Sequence, residues 1–156
     1  MDCEKFLFSG HALQRMFERR IPQDEVERIA REGEIVEAYP QDIPYSSQLI
    51  LGFVGDRPIH VVAGYEEAEK RCIISNSVCA WQGNLGRMIS GTRETIKCMI
   101  CKQGDTAPGY TAVTLNREAT TVVFKNVPAE ICNNCGEYFL DETMTRQLSG
   151  QAEKAS

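Results

Sequence analysis

The sequence predicts an α+β fold in which two helices cover one face of an antiparallel sheet, followed by a small β-hairpin domain that carries four cysteines. Three observations predict it. Apolar residues recur with helical spacing near the N-terminus, they recur every second residue after Gly33, and two Cys-x-x-Cys pairs enclose the last two predicted strands. A period of 3.6 residues is typical of an amphipathic helix and a period of two of a half-buried strand.

Two amphipathic helices are predicted to open the chain. Ser9 can cap the first helix, which covers residues 10–20. The second helix begins at Pro22 or Gln23, carries acidic residues in its first turn and ends at Gly33. The buried face of the first helix is expected to contain three apolar residues, Ala12, Met16 and Phe17.

Four short segments rich in β-branched and aromatic residues follow the helices and are predicted to be strands. Turn signals separate them, and the connections are too short to contain crossover helices. We therefore expect an antiparallel meander with both helices packed on one face. The predicted strands cover residues 34–39, 48–54, 58–65 and 71–78.

The remaining residues indicate a second, smaller domain. Residues 80–96 are rich in glycine and have no steady apolar period, so they are interpreted as a linker after a domain at 1–79. The second domain covers residues 97–148 and contains two alternating strands that turn near 116–119. It ends in a short helix, and residues 149–156 are expected to be a flexible tail.

The two cysteine pairs of the second domain have the spacing of a zinc site. They are Cys98-x-x-Cys101 and Cys132-x-x-Cys135, with thirty residues between the pairs. Two such turns complete a closed site of four thiolates with no open coordination position, which is typical of structural zinc. A pair of redox dithiols or an iron centre is the alternative. Three further cysteines are interpreted as free thiols, Cys3, Cys72 and Cys79.

Composition limits the classes of function. The net charge is −5 and the isoelectric point about 5.1, so no large basic field is available to hold nucleic acid non-specifically. No run of residues approaches the roughly 20 apolar residues of a membrane span. Thiolate ligands and an odd cysteine count favour a reducing compartment, so we expect a cytoplasmic protein without a membrane partner.

A candidate catalytic set lies in the first domain. His11, Arg15 and Arg19 are spaced to share one face of the first helix, and His60 lies in a predicted strand. If the helix packs on the strand face that carries His60, the four side chains converge. Metal-independent RNA cleavage needs a base, an acid and a guanidinium on the phosphorane. The alternative is a histidine at a helix start, a histidine in the core and a solvated arginine face, and spacing leaves both open.

Two stretches of sequence resemble known families. The motifs SGHALQRMFERRI and RPIHVVAGY, within residues 9–78, resemble a widespread family of small bacterial proteins of unassigned function that looks like a divergent relative of the RelE and MqsR messenger-RNA interferases. The motifs KCMICKQGDTAPG and VPAEICNNCGEY, within residues 96–148, resemble YgiT-type zinc fingers and are similar to the N-terminal zinc domain of the MqsA antitoxin.

These resemblances imply a toxin-like domain of RelE-like fold joined to its antitoxin-like domain in one polypeptide. They imply an intramolecular toxin–antitoxin contact, RNA at the cationic helix face, and Zn²⁺ on the four cysteines. Since only one short helix follows the zinc unit, we expect no helix-turn-helix and no direct DNA binding. The resemblance carries over four residues as the toxin family's motif positions, His11, Arg15, Arg19 and His60.

The alternative from a different class is a non-enzymatic, zinc-stabilised interaction module. In that case the histidines are structural, and the four motif residues need not meet in one cleft. A zinc-ribbon nucleic-acid binder is disfavoured because the second domain has no basic cluster. The open edges of a short meander also allow a second copy to pair with the sheet, which would make a homodimer.

Overall fold

The computed structural model describes residues 3–78 and 96–155. These residues form one mixed sheet of eight strands, in the order β2-β3-β4-β5-β1-β8-β7-β6, and three helices. The elements are β1 (Lys5–Ser9), α1 (Gly10–Arg19), α2 (Gln23–Glu32), β2 (Glu34–Tyr39), β3 (Ser46–Val54), β4 (Arg57–Glu66), β5 (Arg71–Val78), β6 (Thr106–Arg117), β7 (Thr120–Cys132), β8 (Tyr138–Asp141) and α3 (Glu142–Ala155).

Strand β1 joins the two halves of the chain into one sheet, so the predicted fold class is wrong. The strand pairs in parallel with β5 and antiparallel with β8. The RelE-like arrangement of two helices on an antiparallel sheet, followed by a separate hairpin domain, is therefore replaced by one mixed sheet with three helices. Strands β1 and β8 have only five and four residues, too few to show a period. Pairing between such distant segments leaves no local pattern.

Most local elements of the first half are confirmed. The hydroxyl of Ser9 accepts a hydrogen bond from the N–H of Ala12 at 3.1 Å, which caps α1 as predicted. The second helix begins at Gln23, and Gly33 follows its last residue. The four predicted strands are β2 to β5, and they form an antiparallel meander. The predicted domain limits and linker stay predictions, since residues 79–95 lie outside the described part of the chain.

The last helix is longer than predicted. Helix α3 continues through residues 149–155, where a flexible tail was expected. Leu148 and Ala152 are one turn apart and both are buried, so they give the extension an apolar contact with the rest of the protein. Ala152 alone provides too weak an apolar signal in the sequence to predict this.

Helix α1 lies between two apolar clusters on the same side of the sheet. Its residues Ala12 and Met16 pack in one cluster with α2 and with strands β1, β3, β4 and β5. Leu13 and Phe17, one residue further along, pack in the other with strands β6, β7 and β8 and with α3. The helix is therefore buried jointly by the N-terminal and C-terminal halves, and this is the arrangement that positions the candidate site.

Two cysteines predicted to be free thiols are joined. Cys3 and Cys72 form a disulfide with a Cα–Cα distance of 5.5 Å. The parallel register of β1 and β5 places Phe6 opposite Cys72 and brings the start of the chain to the same strand end. A count of cysteines could not reveal this pairing, because it depends on β1, which was not predicted. Cys79 lies outside the described residues.

Within the described residues, none of the helices has the length and apolar character needed to cross a membrane.

Candidate functional site

The sulfur atoms of the four predicted ligands lie together. The Sγ atoms of Cys98 and Cys135 are 3.7 Å apart, those of Cys101 and Cys132 are also 3.7 Å apart, and all four lie within 4.8 Å of one another. A tetrahedral ion with metal–sulfur bonds of about 2.3 Å requires sulfur–sulfur distances of about 3.8 Å. The four cysteines therefore fit a metal ion, and they could hold one.

The two cysteine turns have the same backbone geometry. In each turn, the N–H of the residue after the second cysteine donates to the carbonyl of the first: Lys102 to Cys98 at 2.9 Å and Gly136 to Cys132 at 3.1 Å. Both donors have left-handed backbone conformations, with φ of 60° and 76°. We call these turns the first and second knuckles, residues 98–102 and 132–136. Their likeness presents two pairs of thiols to one point.

Glycine is required where the knuckles meet. A Cβ atom added to Gly104 would lie 2.4 Å from the Sγ of Cys132 and 2.7 Å from the Cβ of Asn134. Contacts this short cannot be relieved without moving a ligand sulfur or the second knuckle. Gly104 thus permits the close approach on which the four-cysteine geometry depends.

Hydrogen bonds to sulfur favour thiolate at one ligand. Burial raises the pKa of the Cys101 thiol, but hydrogen bonds from the Asn134 side chain and from backbone N–H groups lower it to about 6. Burial raises the pKa of Cys98 and of Cys135. A bound cation would supply the positive charge that buried thiolates need.

The knuckles pack on the face of the sheet away from the helices. Cys98, Met99 and Cys132 are buried there in a third apolar cluster. The sulfur of Met99 lies so close to Gly64 of β4 that a Cβ at Gly64 would be 2.3 Å from it. The cluster also takes one inward residue from each of three neighbouring strands, Leu7, Ile73 and Phe139.

The first knuckle is tied to the loop before β3. Lys102 forms an ion pair with Asp42, and both side chains are largely buried. The hydroxyl of Ser47 also donates to Asp42, at 2.6 Å. Burial raises the pKa of the Asp42 carboxyl, but Lys102 and Ser47 outweigh it and hold that pKa below its ordinary value. The N–H of Lys97, just before the knuckle, donates to the hydroxyl of Tyr45 at 3.0 Å.

The second knuckle is tied to the start of helix α1. The carboxylate of Glu137 lies 2.8 Å from Nδ1 of His11. The Glu137 side chain is only 9% exposed, whereas that of His11 is 69% exposed. The next residue, Tyr138, packs its ring against Gly10, where a Cβ would meet the ring at 2.5 Å. The two residues after the second knuckle therefore hold the first turn of α1.

Strand β6 holds the middle and end of the same helix. The side-chain amide of Gln14 donates to the carbonyl of Asn116 at 2.9 Å and accepts from its N–H at 3.0 Å. Arg117 is 5% exposed, donates to the carbonyl of Phe17 at 2.7 Å, and stacks 3.9 Å from the centre of the Phe17 ring. It also pairs with Glu153 of α3. The contacts of Gln14 with Asn116 and of Arg117 with Phe17 link residues about a hundred positions apart in sequence.

The predicted catalytic residues are brought together only in part. His11, Arg15 and Arg19 share helix α1, where Arg15 pairs with Glu18 at 2.8 Å and the carbonyl of Arg19 accepts from Arg57 at 3.0 Å. The helices pack on the face of β4 that carries Ile59, Val61 and Ala63.

By alternation along β4, His60 lies on the face away from the helices, the face that carries the knuckles. Its Nδ1 is buried without a hydrogen-bond partner in the described part of the chain. The convergence of His60 with the helix residues, on which the catalytic set depended, is not seen.

Sequence reasoning missed Glu137 and Arg117 as site residues. Glu137 belongs to the quoted motif CNNCGEY, and its place directly after a knuckle was the available signal. Arg117 is the last residue of β6, whose other residues are neutral, and an isolated arginine near a predicted turn gives no sign that it will be buried.

Comparison with known proteins gives one match. The family described as "Domain of unknown function (DUF4258)" matches residues 8–75, from the end of β1 into β5. No curated protein and no solved structure matches the chain.

Proposed function

We propose that the chain is a toxin–antitoxin pair in one polypeptide, in which a zinc-binding C-terminal part holds an RNA-cleaving N-terminal part inactive. The observation that carries the proposal is the contact of the C-terminal half with helix α1. Glu137 meets His11, β6 meets Gln14, and Arg117 meets Phe17. The likeness of residues 9–78 to messenger-RNA interferase relatives, and of residues 96–148 to YgiT-type zinc fingers, supports the same division of roles.

Zinc is the metal that this donor set favours. Four cysteine sulfurs in a tetrahedral arrangement suit Zn²⁺ or an iron–sulfur centre, and carboxylate-preferring ions are disfavoured. Four protein ligands leave no open position, so the ion would act as a structural element. Zinc on Cys98, Cys101, Cys132 and Cys135 would fix both knuckles against the sheet.

Inhibition would act through charge and access at α1. An RNA phosphate bound beside His11 would meet the carboxylate of Glu137, which already occupies Nδ1 of that histidine. The negative charges of the phosphate and of the Glu137 carboxylate would repel each other there. Because the carboxylate is largely buried, salt screens this repulsion less than it would at the surface. In this proposal His11, Arg15 and Arg19 are the RNA-facing groups, and His60 is not one of them because it lies on the other face of the sheet.

The proposal is tested by substitutions that weaken the contact between the C-terminal half and helix α1 in the full chain. We expect a Glu137→Ala/Arg117→Ala variant, expressed in bacteria, to arrest growth and cleave cellular RNA, and we expect an added His11→Ala substitution to relieve both effects. The matched control is Glu32→Ala/Arg28→Ala, which removes an exposed glutamate and an exposed arginine within the N-terminal half. It should be as harmless as the unmodified chain.

The position of His60 favours one second candidate, a non-enzymatic interaction module. A catalytic histidine set split across two faces of a sheet is what that alternative expects. If the Glu137→Ala/Arg117→Ala variant is folded, binds zinc and leaves growth and RNA unchanged, the toxin proposal fails and this candidate replaces it.

A further inference from the structure

We infer that metal occupancy of the four-cysteine site controls whether the C-terminal half stays docked on helix α1, so that a thiophilic divalent cation acts as the regulator of this contact. As a statement about toxin control, the inference rests on the proposed function. As a statement about docking, it stands on the geometry alone.

Two of the contacts between the halves are made by residues that the knuckles fix. Lys102 directly follows Cys101, and its N–H bonds to the carbonyl of Cys98. Glu137 is two residues after Cys135, and its carbonyl accepts from the N–H of Cys132 at 2.8 Å. Each of these residues then uses its side chain to hold the N-terminal half, Lys102 at Asp42 and Glu137 at His11.

The second knuckle leads into β8, the strand that lies between β1 and β7 in the sheet. Strand β8 begins at Tyr138, and it is the antiparallel neighbour of β1, with Phe8 opposite Leu140. Only two residues, Gly136 and Glu137, separate the last cysteine from this strand. A change in the second knuckle therefore reaches β1 directly, and it reaches α1 through Glu137 and through Tyr138.

Without a cation, the two knuckles lose the metal–sulfur bonds that would join all four cysteines. The four sulfurs are within 4.8 Å of one another, and the site contains no cationic side chain among its ligands. Small cysteine-rich units draw much of their folding free energy from the metal. The side-chain contacts of Lys102 and Glu137 depend on a fixed backbone, so losing the metal loosens both together.

The test is hydrogen exchange of the full chain, measured by mass spectrometry with zinc bound and after chelation, with the same reductant in both samples. We expect amides of residues 5–19 to exchange at least tenfold faster after chelation, while residues 49–56, at the turn end of the β3–β4 hairpin, keep their rates. Faster exchange confined to residues 96–105 and 130–137 would overturn the inference, since the metal would then stabilise only its own knuckles. An equal acceleration in all segments would overturn it too.

A double variant distinguishes the effect of the two side-chain contacts from the effect of the metal. Lys102→Ala/Glu137→Ala keeps all four cysteines, so it should bind one zinc per chain and still show the faster exchange of residues 10–19. The control is Lys125→Ala/Glu32→Ala, which removes exposed residues of the same types. Unchanged exchange in the zinc-bound double variant would refute the role of these side chains.

The two proposals fail separately. If zinc removal leaves α1 protected while the Glu137→Ala/Arg117→Ala variant is toxic, metal control is wrong and the proposed function stands. If zinc removal exposes α1 but no variant cleaves RNA, the docking inference is supported and the proposed toxin function is refuted.

Discussion

Replacing Arg117 by alanine should destabilise the protein far more than replacing a typical surface arginine. Arg117 is 5% exposed and joins three elements: its own strand, helix α1 at Phe17 and helix α3 at Glu153. The Arg117→Ala substitution leaves the buried carbonyl of Phe17 without its charged donor and removes the cation from the face of the Phe17 ring.

The magnitude follows from the three contacts. A hydrogen bond from a charged group contributes about 1.5–3 kcal/mol, and a cation over an aromatic ring about 0.5–2 kcal/mol. The Glu153 side chain is half exposed, so its ion pair adds at most about 1 kcal/mol. These terms are not fully additive, and we expect a loss of about 3 kcal/mol in the free energy of unfolding. For a chain of this size, that lowers Tm by roughly 6–12 °C.

The assay is urea unfolding followed by circular dichroism, with zinc present throughout. Arg28→Ala is the matched control. Arg28 also donates to a carboxylate, that of Glu25 at 3.0 Å, and to a backbone carbonyl, that of Phe53 at 2.8 Å. Its side chain, however, is 45% exposed. We expect it to cost about 1 kcal/mol or less. If the two substitutions cost the same, burial of Arg117 between the two halves is not what stabilises their contact.

Two further predictions concern the knuckles. Gly104→Ala should lower zinc affinity about tenfold or more, because the added methyl group meets the sulfur of Cys132. Gly150→Ala is the control and should leave the affinity unchanged, because Gly150 has open space around it. Competition with a chromophoric chelator measures both affinities, and equal values would refute the steric argument. The pKa of Asp42 is held below its usual 3.8, so its ion pair with Lys102 stabilises the fold above that pH and is lost as the pH falls through the lower folded value. Asp42→Asn removes the charge from hydrogen bonds that contribute about 1.5–3 kcal/mol, so we expect a loss of that order at pH 7. It should also make acid unfolding curves less steep below pH 4, and an unchanged pH dependence would contradict this.

Local patterns predicted what depends on local physics. Ser9 as a cap, the period of α1 and the four meander strands follow from neighbours in the sequence, and the structure contains them. The four-cysteine cluster was also predictable, because a Cys-x-x-Cys turn sets its own geometry and two such turns need only a hairpin to meet.

The parts that failed depend on distant pairings. Strand β1 is five residues long and pairs with two strands that are more than sixty and more than a hundred residues away. Once β1 enters the sheet, the two halves share one sheet and Cys3 comes beside Cys72. The wrong fold class and the missed disulfide therefore follow from the short strands β1 and β8, whereas the missed end of α3 follows from its weak apolar pattern.

The most direct test of the central claim uses purified protein and one RNA transcript. The zinc-bound full chain and its Glu137→Ala/Arg117→Ala variant are incubated with the transcript, and cleavage is followed on a gel. The account predicts an intact transcript with the full chain, cleavage by the variant, and no cleavage once His11→Ala is added. An intact transcript with the folded, zinc-bound variant in excess over RNA would contradict it.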